Sequence, residues 1–129
     1  MRILLIEDDA LTRLDLENRL LDLGHAVFAA GDAKEALRKG AEHPPEIVIA
    51  DWNLGSKTSG LDVCTYLLRS NPDLYIIMLT GASREELLQN SFDIPLKNVL
   101  AKPLAQKQLE AILHRASAKI PRTQEKASL

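Results

Sequence analysis

Short apolar runs alternate along this chain with longer stretches whose apolar residues recur at helical spacing, and this alternation restricts the fold more than any other feature. Five runs have the length and composition of strands, at residues 2–6, 26–30, 46–50, 74–79 and 98–101. Amphipathic segments follow them at residues 10–23, 32–42, 60–71, a short one from Ser83, and 104–117. Strands that alternate with helices form a parallel sheet covered on both faces. The sequence therefore predicts an α/β domain with five strands and five helices.

The order of the strands follows from the handedness of their connections. Crossovers between parallel strands are right-handed, which leaves few arrangements. The common five-stranded solution is the flavodoxin-like order 2-1-3-4-5, in which ligands bind beyond the carboxyl ends of strands 1 and 3. We therefore expect a functional site among the residues that follow these strands.

Local signals mark where the predicted helices begin and end. Asp9 and Asp32 precede the first two helices, and aspartate is a preferred N-cap because its carboxylate accepts a hydrogen bond from an unpaired backbone N–H. Gly24 follows the first helix, where a left-handed residue commonly ends a helix. The helical pattern stops after residue 117, so residues 1–117 are predicted to form the domain and residues 118–129 a flexible polar tail.

Composition excludes several classes of protein. The 129 residues suit one domain, and a net charge of −2 does not suit a bulk nucleic-acid binder. Cys64 is the only cysteine, so an internal disulfide is excluded and a buried thiol is expected. No stretch approaches the roughly 18 apolar residues of a membrane span, and the apolar start is too short for a signal peptide. We expect a soluble, cytoplasmic protein without direct contact to nucleic acid.

Polar residues stand directly after four of the predicted strands. They are Glu7 and Asp8 after strand 1, Asp51 after strand 3, Thr80 after strand 4 and Lys102 after strand 5. Gly81 follows Thr80, and Pro103 follows Lys102. Carboxylates brought together at one edge of the sheet repel one another unless a cation lies among them. Oxygen ligands without histidine or cysteine favour Mg²⁺, or alternatively Mn²⁺, over zinc or copper. Lys102 and Thr80 are suited to phosphoryl oxygens, and a carboxylate can attack phosphorus to form an aspartyl phosphate.

Four segments carry a resemblance to a known family. LLIEDD (residues 4–9), IADWNL (49–54), LTGA (79–82) and LAKPL (100–104) together resemble the CheY-like receiver domain of two-component response regulators. Each segment alone is common, whereas all four in this order at strand ends are specific. The resemblance covers residues 2 to about 117 of the chain.

The resemblance implies a metal site and a phosphorylation site. Asp51 matches the phosphoacceptor and also a metal ligand, and Asp8 matches a direct Mg²⁺ ligand. Glu7 matches a residue that acts through a metal-bound water, and the backbone carbonyl of Asn53 matches the remaining protein ligand.

The resemblance also implies how the phosphoryl group is held. Thr80 resembles the switch hydroxyl, with Gly81 beside the phosphoryl group, and Lys102 would pair with a phosphoryl oxygen. The peptide bond between Lys102 and Pro103 is implied to be cis.

Partners and output are implied in general terms. The implied donor is a phosphohistidine on a sensor histidine kinase or a histidine phosphotransfer protein. Phosphorylation is implied to change the surface around the fourth helix, the fifth strand and the fifth helix, which an unidentified downstream protein reads. A switch of this kind assists its own phosphorylation and dephosphorylation but is not a turnover enzyme.

The chain departs from the family pattern in three places. Val99 stands three residues before Lys102, where the family usually has an aromatic residue. The segment NLGSKTSG at residues 53–60 replaces a shorter turn, and SFDIPLK at residues 91–97 lacks the usual small residues.

Three other functions remain open at this point. A degenerate receiver that acts only as a binding module is favoured by Val99. A Mg²⁺-dependent phosphohydrolase with an aspartyl nucleophile would need a general acid where Asn53 stands, and an amide cannot serve as one. A flavin carrier of similar fold would need a phosphate-binding loop after strand 1, where the chain is acidic.

Overall fold

The computed structural model describes residues 1–51, 60–81 and 98–120, which form a five-stranded parallel sheet in the order β2-β1-β3-β4-β5. The strands are β1 Arg2–Ile6, β2 Ala26–Ala30, β3 Ile47–Asp51, β4 Tyr75–Thr80 and β5 Val99–Ala101. The helices within the described residues are α1 Ala10–Asp22, α2 Ala33–Glu42, α3 Gly60–Ser70 and α4 Gln106–Lys119. The predicted strand order is therefore confirmed. The short helix predicted from Ser83 lies outside the described residues.

The last helix differs from its prediction at both ends. It begins at Gln106 instead of Leu104, because Leu104 packs into the core and Ala105 has an extended backbone. It continues through Lys119 instead of ending at Ser117. A lysine in the last turn stabilises a helix through the macrodipole, which favours this extension. Residues 121–129 of the predicted tail lie outside the described residues.

Two apolar cores lie on opposite faces of the sheet. Side chains alternate along each strand, so Leu4 and Ile6 of β1 face α2 and α3, whereas Ile3 and Leu5 face α1 and α4. The strands β3 and β4 divide in the same way, and β3 is buried along its whole length. Burial on both faces explains why the central strands are apolar without interruption.

The predicted helix caps are confirmed. The carboxylate of Asp9 accepts hydrogen bonds from the backbone N–H and the hydroxyl of Thr12. The carboxylate of Asp32 accepts one from the N–H of Glu35. Gly24 ends α1 with a φ of +91°, a left-handed conformation that favours glycine. These contacts fix where the chain leaves β1 and β2, and so where the following residues lie.

The helices in the described part of the chain are too short or too polar to cross a lipid bilayer.

Cys64 is fully buried on α3, as predicted, and burial raises the pKa of its thiol to about 12. The thiolate is the reactive form of cysteine, so a thiol reagent at mildly alkaline pH should label the folded protein far more slowly than the protein in guanidinium chloride. The measurement is the rate of labelling in each state, with Cys64→Ala as the blank. Equal rates in the two states would show that the thiol is accessible.

Candidate functional site

The register of the sheet brings the predicted polar residues to one edge. Ile6 pairs with Ala50, so Glu7 leaves β1 beside Asp51 at the end of β3. Thr80, the last residue of β4, pairs with Ala101 of β5. Each of these predicted residues therefore ends a strand or follows its end, and neighbouring strands are only about 4.8 Å apart.

Three carboxylates converge at this edge. Oxygen atoms of Glu7, Asp8 and Asp51 lie within 4.8 Å of one another. Glu7 is 1% exposed and Asp51 is 7% exposed, whereas Asp8 lies at the surface. The cluster is thus buried on one side and reaches solvent at Asp8.

Lys102 connects β5 to the two buried carboxylates. Its ammonium donates hydrogen bonds to Glu7 Oε1 at 2.9 Å, to Glu7 Oε2 at 2.8 Å and to Asp51 Oδ2 at 3.0 Å. Charge-assisted hydrogen bonds at these distances are strong. The side chain of Lys102 therefore ties the ends of β1, β3 and β5 together.

The pKa values reflect crowded charge. Burial raises the pKa of the Glu7 carboxyl above its ordinary value, and the nearby Asp51 charge adds to this effect, while Lys102 opposes it. Burial alone would lower the pKa of the Lys102 ammonium, but its hydrogen bonds to Glu7 and Asp51 outweigh burial and raise it. One ammonium faces three carboxylates in this group of side chains. Carboxyl groups therefore outnumber ammonium groups in this cluster.

This donor set fits a hard divalent cation. The ligating atoms are carboxylate oxygens, which Mg²⁺ prefers, and one of the three carboxylates faces solvent. A divalent cation among the carboxylates would reduce their mutual repulsion. Asn53, whose backbone carbonyl was predicted to complete the metal site, lies outside the described residues.

The remaining predicted residues lie at the ends of β4 and β5, at the same edge of the sheet. Thr80 is buried, and its backbone carbonyl accepts a hydrogen bond from the N–H of Lys102 at 2.9 Å. Gly81 is exposed, with open space where a side chain would stand. The peptide bond between Lys102 and Pro103 is cis.

Val99, which departs from the family pattern, is part of the core. It is buried and packs in the cluster that contains Ile76 and Met78 of β4. The aliphatic side chain is thus held in place by the neighbouring strand.

Two arginines of α1 support the edge and were not identified from the sequence. Arg13 Nη1 donates to the backbone carbonyl of Glu7 at 2.8 Å, and Arg19 Nη1 donates to the carbonyl of Leu104 at 2.8 Å. The pair of Arg19 with Asp15 has the spacing of a helical ion pair and was visible in the sequence. The contacts of the two arginines with backbone carbonyls have no local sequence signal, because they depend on the packing of α1 against the sheet.

Gly60 at the start of α3 approaches the backbone of Asp51 closely. A Cβ atom on Gly60 would lie 2.0 Å from the backbone oxygen of Asp51 and 3.0 Å from its carbonyl carbon. These neighbours are main-chain atoms of a buried strand, so they cannot move aside easily. Glycine at this position lets α3 begin against the end of β3.

A family model and several curated proteins are similar to this chain in sequence. The family model described as "Response regulator receiver domain" matches residues 3–114. "Probable transcriptional regulator ycf27" of Porphyridium aerugineum is 36% identical over 110 residues, which cover 85% of this chain and 45% of that protein. "Probable chemotaxis protein CheY" of Rhizobium etli is 29% identical over 117 residues, covering 88% of this chain and 89% of that protein. The chain spans about half the length of several of the curated relatives it matches.

Comparison by structure supports the same fold. A two-component transcriptional regulator, AraC, from Clostridium phytofermentans superposes with a TM-score of 0.80 at 23% identity. The aligned region covers 92% of this chain and 94% of that one.

Gly60→Ala tests the close approach at Asp51. Alanine favours a helix over glycine by up to about 1 kcal/mol, but the clash with the carbonyl of Asp51 should lower the free energy of unfolding by roughly 1–3 kcal/mol. The measurement is urea denaturation followed by circular dichroism. Gly81→Ala is the matched control, since its Cβ would meet open space. A Gly60 variant as stable as the control would contradict the assigned packing.

Proposed function

Because this chain belongs to the response regulator receiver domain family, we propose that it is a phosphorylation-dependent signalling switch in which Asp51 accepts a phosphoryl group. The observation that carries the proposal is the ammonium of Lys102, which hydrogen-bonds both Glu7 and Asp51 beside the exposed carboxylate of Asp8. A nucleophile, a metal-binding carboxylate pair and a cation for phosphoryl oxygen are thereby present within one cluster.

In the proposed reaction, the donor is a phosphohistidine of a sensor histidine kinase or a histidine phosphotransfer protein. A carboxylate oxygen of Asp51 forms a bond to phosphorus while the bond between phosphorus and the imidazole nitrogen breaks. The nitrogen keeps the electron pair and the imidazole takes a proton from solvent. The reactive carboxylate is positioned by the end of β3, which is buried on both faces.

Asp8 and Asp51 would hold Mg²⁺, with Glu7 acting through a bound water and the carbonyl of Asn53 as a further ligand. The ion, when bound, neutralises negative charge on the transferring phosphoryl group. Lys102 would supply a second positive charge from the end of β5, and its contact with Asp51 Oδ2 supports this role.

The proposed switch begins at the ends of β4 and β5. A phosphoryl group on Asp51 offers new acceptor oxygens to the hydroxyl of Thr80 and to Lys102, with Gly81 leaving room beside them. Movement of these residues would alter the surface formed by β5, α4 and the helix predicted from Ser83, to which a downstream protein binds. Val99 lacks an aromatic ring, so the change is carried by the backbone of these segments.

The family match favours this function over the phosphohydrolase and the flavin carrier. The degenerate receiver differs from the proposed switch in a single measurable property, since it would bind partners without accepting phosphate. Phosphorylation therefore separates the two interpretations.

Incubation with acetyl phosphate and Mg²⁺ should add one phosphoryl group to the intact protein, measured as a mass increase that disappears on alkaline treatment. Asp51→Asn should remain unmodified, because an amide oxygen is a poor nucleophile. Removal of Mg²⁺ with a chelator should slow modification strongly. A chain that acquires no phosphoryl group from acetyl phosphate or from a histidine kinase would be the degenerate binding module.

Lys102→Ala should retain Mg²⁺ binding but lose the response to phosphorylation. Removal of the ammonium leaves the negative charge of the carboxylates uncompensated, so Mg²⁺ affinity should be equal or higher. Hydrogen exchange with and without phosphorylation should show protection changes in the parent chain and little change in the variant. Lys107→Ala is the control, because it removes the same charge from an exposed position of α4. Weaker Mg²⁺ binding in Lys102→Ala would contradict the role assigned to this lysine.

A further inference from the structure

Arg13 lies within α1, close to the carboxylate cluster, and the proposed reaction gives it no part. Its side chain is half-buried, and Nη1 donates a hydrogen bond of 2.8 Å to the backbone carbonyl of Glu7. The backbone N–H of Glu7 in turn donates to the carbonyl of Ala30 at 3.0 Å. The main chain of Glu7 is therefore held on both sides, by β2 at its N–H and by Arg13 at its carbonyl.

The guanidinium of Arg13 also packs against the turn that follows β2. A Cβ atom on Gly31 would lie 2.9 Å from Nη1 and 3.4 Å from Cζ of Arg13. The absence of a side chain at Gly31 leaves the space that the guanidinium occupies. The guanidinium of Arg13 thus lies between the turn after β1 and the turn after β2.

The hydrogen bond from Arg13 restrains the orientation of the peptide group that joins Glu7 to Asp8. The carbonyl that Arg13 binds belongs to that peptide, and its orientation sets the direction in which the backbone continues to Asp8. The carboxylates of both residues belong to the cluster with Asp51. A change in this peptide would alter the distances among the three carboxylates.

We propose that Arg13 is a positioning residue for Mg²⁺ binding, which acts by fixing the carbonyl of Glu7 and needs Gly31 for its own placement. This inference rests on the proposed function, in which the carboxylate cluster holds Mg²⁺. Partners that orient metal ligands commonly change metal affinity by roughly 10-fold or more when they are removed.

The direction in which Mg²⁺ affinity changes when Arg13 is replaced distinguishes a positioning role from a simple effect of its charge. Arg13 is a cation near an acidic cluster, so its loss should strengthen Mg²⁺ binding if only its charge matters. Loss of positioning should weaken Mg²⁺ binding instead. A purely structural role would lower the free energy of unfolding but leave the affinity of the folded protein unchanged.

The experiment measures Mg²⁺ affinity of the unphosphorylated chain by titration calorimetry, together with urea denaturation in the absence of Mg²⁺. Arg13→Met should weaken Mg²⁺ binding by roughly 10-fold, on the scale typical of such partners. Arg13→Lys, which keeps the charge and one donor group, should recover part of the affinity. Arg38→Met is the control, since it removes an equal charge from an exposed pair with Glu42 on α2.

Gly31→Ala provides a second variant in which Arg13 itself is retained. Its Cβ should displace the guanidinium and weaken Mg²⁺ binding in the same direction, and this variant decides the matter if Arg13→Met fails to fold. Unchanged or tighter binding in folded Arg13→Met, or in Gly31→Ala, overturns the positioning role while the Mg²⁺ site stands. A parent chain that binds no Mg²⁺ overturns both the metal site of the proposed function and this inference.

Discussion

The ion pair between Lys102 and the carboxylates of Glu7 and Asp51 is the interaction on which the site depends. A carboxylate as buried as that of Glu7 is costly unless it is paired and hydrogen-bonded. Lys102, which follows the edge strand β5, provides both conditions. Its ammonium passes the neighbouring strand β4 and contacts Asp51 at the end of β3 and Glu7 after β1. The two apolar cores on either face hold the strands in the register that permits this contact.

The same interaction joins unequal numbers of charged groups. A buried ion pair offsets the cost of desolvation only when its geometry is close and further hydrogen bonds satisfy its polar atoms. Among the described residues of this cluster, one ammonium meets two buried carboxylates and a third at the surface. Burial raises the pKa of the Glu7 carboxyl, and the nearby Asp51 adds to this effect. Three carboxylates grouped at an edge that reaches solvent form a donor set that suits a hard cation. The carboxylates that would bind a cation therefore also reduce the stability of the fold through their mutual repulsion.

Much of this arrangement was predictable from the sequence because it rests on short-range patterns. Apolar runs define the strands, the right-handed crossover restricts their order, and the order places the residues after strands 1, 3, 4 and 5 at one edge. Other features depend on packing that no local pattern contains. The leucines of α1 have similar helical spacing, yet Leu16 and Leu20 are buried whereas Leu11 and Leu14 are largely exposed. The carbonyl contact of Arg13 likewise requires the tertiary fold.

The position of Val99 restricts how a signal could leave the site. An aromatic ring at the surface can change its rotamer independently of the backbone, but Val99 is buried against β4 and is stiff at χ1. The hydrogen bond from the N–H of Lys102 to the carbonyl of Thr80 offers another connection, because it joins the ends of β4 and β5 through the main chain. Displacement of either residue toward a phosphoryl group would move the other strand end with it. In this chain the two residues that bind the phosphoryl group in the proposed switch would therefore also transmit its presence.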